Sequence, residues 1–160
     1  MLHDWLEVLV VDDDLPIRES MCLLLEDAEY RVRGAQDGVE ALAQLRAATR
    51  SFVVVLDYVM PRLNGLDVLR AVAADEELMA SSAFVLCSAQ AHILPQELHE
   101  LCERLGVELL AKPFELDDLL AMIARAAQRL AQRLDASQTA PRTITSRLVD
   151  GGEFGGFQSL

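Results

Sequence analysis

The sequence predicts an α/β protein built on a five-stranded parallel, doubly wound sheet. Short apolar segments rich in valine and leucine alternate along the chain with segments whose apolar residues recur at helical spacing. Continuous apolar runs are typical of strands buried on both faces, as in parallel sheets. Strands that alternate with helices of this length indicate right-handed crossovers and an open sheet covered on both sides.

Four apolar runs are predicted as strands, and a more polar segment is predicted as the fifth. The runs lie at 6–11, 52–56, 83–87 and 107–111, and the polar segment lies at 31–35. Because Arg31 and Arg33 suit a strand that is only partly covered, we expect the polar segment near an edge of the sheet.

Five helices are predicted from apolar residues spaced three or four positions apart. Pro16 suits the first turn of the first helix, and Gly106 ends the fourth. The fifth helix is expected at about 115–134. The apolar positions are Ile17, Met21, Leu24 and Leu25; Val39, Leu42 and Leu45; Leu66, Leu69, Val72 and Ala73; Leu94, Leu98, Leu101 and Leu105; and Leu116, Leu119, Leu120, Ile123 and Ala127.

Length and composition fit one domain with a short appendage. The chain has 160 residues, 52% of them hydrophobic but only 5% aromatic, so the core is expected to be aliphatic. We predict a domain over residues 1–135. Residues 136–160 contain serine, threonine, glycine and proline without a sustained period, which predicts a flexible tail and no output domain.

The net charge and the lack of a signal-peptide pattern argue against some classes of function and location. The formal net charge is −12, from 26 acidic and 14 basic residues, which argues against direct nucleic-acid binding and fits cation binding or basic protein partners. The N-terminus lacks the pattern of a signal peptide, and no apolar run approaches the roughly 18 residues of a membrane helix. Three cysteines without disulfide or zinc spacing are consistent with reduced thiols, so we expect a cytoplasmic protein.

Polar residues follow four of the predicted strands. Asp12 and Asp13 follow the first, Asp57 follows the run at 52–56, Ser88 follows the next and Lys112 follows the last. Because ligand sites of such sheets lie beyond the carboxyl ends of the strands, we expect these side chains to converge on one rim.

These residue types predict a metal-assisted phosphoryl site. Clustered carboxylates repel one another, and Mg²⁺, which prefers oxygen ligands, relieves the repulsion. A carboxylate such as Asp57 can act as a nucleophile and form an aspartyl phosphate. Lys112 can offset the charge of the phosphoryl oxygens, and Ser88 can donate a hydroxyl hydrogen bond to them.

Simpler interpretations exist for each residue taken alone. The acidic run at 12–14 could cap the first helix, and this remains our interpretation of Asp14. Ser88 could cap the fourth helix, and Lys112 could be a solvated loop residue. Convergence of the acids and the lysine on one rim favours the functional interpretation for Asp13, Asp57 and Lys112.

Four segments together resemble the receiver domains of bacterial two-component response regulators. They are VLVVDDD at 8–14, LDYVMPRLNGL at 56–66, LCSA at 86–89 and AKPF at 111–114, in the order and spacing of that family. The resemblance covers about residues 5 to 130. It implies the flavodoxin-like form of the fold, with strand order 2-1-3-4-5.

The resemblance also implies a role for each acid on the rim. Asp57 would be the phosphoacceptor. Asp13 and Asp57 would bind Mg²⁺ directly, together with the backbone carbonyl of Val59, and Asp12 would act mainly through metal-bound water. The phosphoryl donor would be a phosphohistidine on a histidine kinase or a phosphotransfer protein.

The remaining implied roles concern signalling. Lys112 would bind the phosphoryl group, with a cis bond to Pro113, and Ser88 would be the switch hydroxyl. The family often places an aromatic residue three positions before this lysine, whereas this chain has Leu109, which leaves a different readout open.

Output is expected through a downstream protein partner. A homodimer through the fourth and fifth helices is a further hypothesis, with Leu119, Ile123, Leu130 and Leu134 as the apolar stripe. The alternatives are a pseudo-receiver that signals by constitutive binding and a receiver cut from a longer regulator.

An enzyme of the haloacid-dehalogenase type is the competing class. Such phosphatases also form an aspartyl phosphate, but they need a second aspartate two residues after the nucleophile. Val59 occupies that position. Turnover of external phosphoesters is therefore not expected.

Overall fold

A computed structural model describes residues 4–139, which form alternating strands and helices. The elements in chain order are β1 (Leu6–Val11), α1 (Leu15–Asp27), β2 (Val32–Ala35), α2 (Gly38–Arg46), β3 (Ser51–Asp57), α3 (Gly65–Ala73), α4 (Glu76–Ser81), β4 (Ser82–Ser88), a 3₁₀ turn (Ala91–Ile93), α5 (Gln96–Leu105), β5 (Glu108–Ala111) and α6 (Leu116–Thr139).

The five strands form one parallel sheet in the order β2-β1-β3-β4-β5, which confirms the predicted fold and strand order. The more polar strand β2 lies at an edge, as its composition predicts. Asp57 pairs in register with Cys87, and Ser88 pairs with Ala111. These registers bring the carboxyl ends of β3, β4 and β5 to the same rim.

Two aliphatic layers cover the sheet, one on each side. On one side, Leu9 and Val54 pack with residues of α2, α3, α4 and α5. On the other, Val10 and Val55 pack with residues of α1 and α6. Alternate residues of the central strands therefore enter different layers, and this explains why their sequences are apolar without interruption.

The short helix α4 was not predicted from the sequence. It occupies the connection between α3 and β4, and its N-cap is Asp75, whose carboxylate accepts hydrogen bonds from the amides of Glu77 (3.1 Å) and Leu78 (3.2 Å). The predicted fourth and fifth helices are therefore α5 and α6. Helix α5 begins at Gln96, after the 3₁₀ turn that contains Ile93.

Helix α6 differs from its prediction in length and in the direction of its apolar stripe. It continues to Thr139 rather than ending near position 134, and residues 140–160 of the predicted tail lie outside the described residues. Leu119, Ile123 and Leu130 are buried in the monomer's own core. The predicted use of this stripe for dimerisation is wrong, because the stripe faces the sheet.

The last turns of α6 are fixed to the body of the domain. The Arg133 guanidinium donates hydrogen bonds to the carbonyls of Met79 (2.7 Å) and Ser82 (3.0 Å), at the junction of α4 and β4. Partial burial lowers the pKa of Arg133 from its ordinary value. Among the described helices, none is both long enough and apolar enough to cross a membrane.

Candidate functional site

Three carboxylates meet at the carboxyl end of the sheet. Asp12 and Asp13 follow β1, and Asp57 ends β3. One oxygen of each lies within 4.8 Å of the others. Asp12 is buried, Asp57 is partly exposed and Asp13 is exposed, so the cluster opens to solvent on one side.

Asp12 is held by contacts to its backbone and its side chain. Its amide donates to the carbonyl of Ala35 (3.2 Å), and its own carbonyl accepts from Arg18 Nη1 (2.6 Å). Its Oδ1 accepts from the amide of Asp14 (2.9 Å). Asp14 in turn caps α1 by accepting from the amide of Ile17 (3.0 Å), as predicted.

Lys112, the residue after β5, joins this cluster. Its Nζ lies 3.2 Å from Asp57 Oδ1 and 3.7 Å from Asp12 Oδ2. The Lys112 amide donates to the carbonyl of Ser88 (2.9 Å), and the bond to Pro113 is cis, as the resemblance implies. The predicted convergence of Asp57 and Lys112, which are 55 residues apart, is therefore present.

Ser88 is the last residue of β4, and its backbone is hydrogen-bonded to that of Lys112. Its residue is only 2% exposed, and its Oγ accepts a hydrogen bond from the amide of Gln90 (3.0 Å). This bond stabilises the turn after β4. Ser88 does not cap α5, whose N-cap is Pro95.

Burial and charge change the proton affinity of the two central groups. Partial burial raises the pKa of Asp57; Lys112 opposes this effect, whereas Asp12 and Asp13 add to it. Burial alone would lower the pKa of Lys112, but the charge and hydrogen bond of Asp57, with Asp12, outweigh it and raise that pKa. The three carboxylates thus carry more negative charge than the lysine offsets.

This donor set fits a hard divalent cation. Carboxylate oxygens are preferred ligands of Mg²⁺, and a bound cation would relieve the repulsion that Asp12 and Asp13 add to the effect of burial on the pKa of Asp57. Asp13 is exposed and accessible to an ion, whereas Asp12 Oδ1 already accepts a backbone hydrogen bond.

The loop after β3 passes next to these carboxylates. The Tyr58 amide donates to the carbonyl of Cys87, and the Tyr58 carbonyl accepts from the amide of Gly65, both at 2.9 Å. A Cβ at Gly65 would lie 3.0 Å from the Cα of Tyr58, so the loop closes on itself here. Val59, the next residue after Tyr58, is 65% exposed.

Two predicted features lie just behind the rim. Leu109 is partly buried on β5, where it pairs with Leu86 and packs against the core layer that contains α5. Cys87 is buried beside Ser88, and burial raises the pKa of its thiol to about 12. Both side chains therefore pack as apolar groups.

The ion pair between Asp37 and Arg62 was missed from the sequence. Asp37 is the buried N-cap of α2, and its Oδ1 accepts from the amide of Glu40 (2.9 Å). Its Oδ2 contacts Arg62 Nη2, which comes from the loop after β3. The Asp-Gly start of α2 is a recognisable helix cap, but a partner 25 residues away leaves no local pattern.

Sequence comparisons place the chain among two-component signalling proteins. A family model described as the response regulator receiver domain matches residues 8–124. Response regulator MprA of Mycolicibacterium vanbaalenii is 36% identical over 146 residues, which cover 89% of this chain and 59% of that protein. MprA of Mycobacterium avium is 36% identical over 148 residues, or 91% and 60% respectively. The chain spans about 60% of the length of these curated relatives.

Structural comparisons agree with this placement. A CheY-like response regulator receiver domain protein from Methanospirillum hungatei is 27% identical, with a TM-score of 0.65 over 81% of this chain and 98% of that one. Chemotaxis protein CheY4 of Vibrio cholerae is 30% identical, with a TM-score of 0.63 over 75% and 97%. Both neighbours are nearly complete within the alignments.

Proposed function

Because this chain belongs to the response regulator receiver family, we propose that it accepts a phosphoryl group on Asp57 from a phosphohistidine of a histidine kinase or phosphotransfer protein. The observation that carries the proposal is the meeting of Asp12, Asp13 and Asp57 with Lys112 at one rim. Receivers are signalling domains, so the transfer serves as a signal rather than as turnover of an external substrate.

The proposed transfer uses the Asp57 carboxylate as the nucleophile. One of its oxygens forms a bond to phosphorus while the bond between phosphorus and the donor imidazole nitrogen breaks, and the imidazole keeps that electron pair and takes up a proton. Lys112, already 3.2 Å from Asp57, would attract the phosphoryl oxygens. Ser88 Oγ would donate its hydrogen to one of them after transfer.

Mg²⁺ is the proposed cofactor. Asp13, Asp57 and the Val59 carbonyl would hold the ion, and Asp12 would contact it through water. Asp12 Oδ1 already accepts a hydrogen bond and Asp12 Oδ2 already contacts Lys112, which supports contact with the ion through water rather than directly. When bound, the ion supplies positive charge that offsets the phosphoryl oxygens.

A protein donor is supported by an apolar groove beside the rim. Pro16, Ile17 and Leu24 of α1 lie across this groove from Phe114, which precedes α6, and Leu116, which begins it. Ile17 and Leu24 are 45% and 46% exposed, which is unusual for large apolar residues on one helix face. A helix that carries the donor histidine could cover this surface during transfer.

The proposed output is altered binding of a downstream protein or output domain. We place the reaction in the cytoplasm. We propose no membrane or nucleic-acid partner for this domain. The coverage of longer relatives supports a receiver that is one part of a larger regulator. A homodimer would use exposed residues of α5 and α6 rather than the buried stripe. Leu109 favours a readout without an aromatic switch.

Intact mass measured after incubation with acetyl phosphate and Mg²⁺ tests the proposal. We expect a gain of one phosphoryl group that requires Mg²⁺ and disappears in Asp57→Asn. Asp14→Asn is the matched control, because it removes a neighbouring charge but keeps an oxygen that can cap α1. The control should be phosphorylated like the wild type.

Two outcomes would contradict the proposal. One is a phosphoryl gain that persists in Asp57→Asn, because another residue would then be the acceptor. The other is no gain combined with no shift in the unfolding temperature on adding beryllium fluoride with Mg²⁺. That combination would favour the pseudo-receiver, which signals by constitutive binding.

A further inference from the structure

Asp37 and Arg62 connect two loops on one side of the rim. Asp37 lies between β2 and α2, and its side chain is 4% exposed. Its two oxygens have different partners: the amide of Glu40 and the Arg62 guanidinium. Because the first bond fixes the carboxylate at the start of α2, the second holds Arg62 against a rigid point.

Arg62 occupies an unfavourable backbone conformation. Its φ is 65°, in the left-handed region that favours glycine, and the amide of Leu63 donates to the carbonyl of Pro61 (2.8 Å) around it. A tight turn of this kind, centred on a residue with a side chain, is strained. Such strain persists only where surrounding contacts hold the conformation.

A second contact joins the same two loops. A Cβ at Gly38 would lie 2.6 Å from Val68 Cγ2 and 2.8 Å from the carbonyl oxygen of Leu63. The first turn of α2 therefore packs directly against the backbone next to Arg62. The ion pair reinforces a place where the chain segments already touch.

These contacts fix both ends of a short segment. Tyr58 is bonded to Cys87 and Gly65 at one end, and Arg62 is paired with Asp37 at the other. Val59, whose carbonyl is the proposed metal ligand, lies between the two fixed points. Two residues separate Arg62 from Val59, so a displacement of Arg62 is transmitted to that carbonyl.

We propose that Asp37 and Arg62 are positioning residues, which hold the loop after β3 so that the Val59 carbonyl can bind Mg²⁺. The inference rests on the proposed function of the site. Neither residue touches the reacting atoms: Arg62 is 63% exposed at its side chain, and its guanidinium points to Asp37. Their effect is on the affinity of the metal site.

The test compares Mg²⁺ affinity by calorimetry in Asp37→Asn, Arg62→Gln, the double variant and a matched control. Asparagine keeps an oxygen that can cap α2 while removing the charge that attracts Arg62. The control is Arg33→Gln, because Arg33 also pairs a half-exposed guanidinium with a buried carboxylate, that of Glu7, at the opposite end of the sheet.

We expect each single variant to weaken Mg²⁺ binding about 10-fold, as loss of groups that orient metal ligands does. The double variant should be no weaker than the weaker single variant, because the two residues act as one unit. Arg62→Lys should recover part of the affinity. Arg33→Gln should stay within about twofold of the wild type.

Hydrogen exchange of the metal-free protein gives an independent measurement. Amides of the loop after β3 should exchange faster in Asp37→Asn and Arg62→Gln, while those of β3 itself should not change. If the wild-type protein binds Mg²⁺ and both variants bind it with the same affinity, the inference is overturned but the proposed function is not. Failure of the wild-type protein to bind Mg²⁺ and to gain a phosphoryl group would overturn the proposed function as well.

Discussion

Carboxylates at the two ends of the sheet differ in how far nearby cations balance their charge. At the amino end, Glu7 Oε2 lies 2.6 Å from Arg33 Nε, and Glu7 Oε1 lies 3.7 Å from Arg50 Nε. Arg33 also stacks over the ring of Phe52, 5.7 Å from its centroid. One acid therefore faces two arginines, and its charge is offset within the protein.

At the carboxyl end, the balance is reversed. Asp12, Asp13 and Asp57 lie together, and between residues 4 and 139 the ion pairs that they form all involve Lys112. Burial is the main cause of the raised pKa of Asp57, and the charges of Asp12 and Asp13, which Lys112 only partly offsets, add to it. The comparison shows that uncompensated charge, rather than the presence of buried acids, distinguishes the candidate site.

The largest expected effect is on stability and concerns α6 near the amino end of the sheet. Leu130 is fully buried one turn before Arg133, so Leu130→Ala should lower the free energy of unfolding by about 3 kcal/mol. Urea unfolding measures this. Ile93→Ala, at a residue that is 63% exposed, is the control and should change it by less than about 0.5 kcal/mol. Equal losses would contradict the assignment of Leu130 to the core.

The next effect is on chemistry at the carboxyl end. Asp13→Asn should slow phosphoryl gain from acetyl phosphate by at least about 100-fold, because it removes a proposed Mg²⁺ ligand. Its free energy of unfolding without metal should not fall, since one repulsive charge is lost. Time-resolved intact mass and urea unfolding measure the two effects. A normal rate would remove Asp13 from the metal site.

The converse change at the amino end should affect stability only. Glu7→Gln leaves Arg33 beside an uncharged partner, so the free energy of unfolding should fall by about 1–2 kcal/mol. Its phosphoryl gain should match that of the wild type. If Glu7→Gln slowed the chemistry as strongly as Asp13→Asn, the two ends could not be separated in this way.

The smallest effect is a pH dependence of Mg²⁺ stabilisation. Because the pKa of Asp57 is raised above 3.8, the Asp57 carboxyl holds its proton more tightly in the folded metal-free protein than in the unfolded chain. The destabilising contribution of Asp57 therefore develops as the pH rises through 3.8 and the raised folded value, and it is complete above that window. Mg²⁺ competes with the proton, so its stabilising effect should shrink as the pH falls towards the window.

Thermal unfolding with and without Mg²⁺, from about pH 7 down to the window that begins at 3.8, measures this dependence. Asp57→Asn should show little stabilisation by Mg²⁺ at any pH in this range. A constant Mg²⁺ effect in the wild-type protein would place Asp57 outside the metal site.

The sheet and the convergence of polar residues on its rim could be predicted from the sequence. Apolar runs such as that at 52–56 identify strands because both faces are covered, and each polar residue directly after a strand is carried to the same edge. The roles of Asp57 and Lys112 remain predictions, although their distance of 3.2 Å is consistent with them.

What the sequence did not predict depends on contacts that leave no local pattern. Helix α4 has six residues, of which Leu78 is buried, so its period is too short to detect. The end of α6 depends on Arg133 binding carbonyls more than 50 residues away. The pair of Asp37 and Arg62 likewise requires knowing that two loops touch.

The three cysteines differ in burial, so their rates of labelling can report how often β4 opens. A thiol reacts as its thiolate, and burial raises the pKa of Cys87 to about 12 and that of Cys102 to about 11, while Cys22 is only partly buried. An alkylating reagent should therefore modify Cys22 first. Cys87, which pairs in register with Asp57, should react only when this part of the sheet opens. Its labelling half-life would report how often the strand beside the candidate site opens in the native protein.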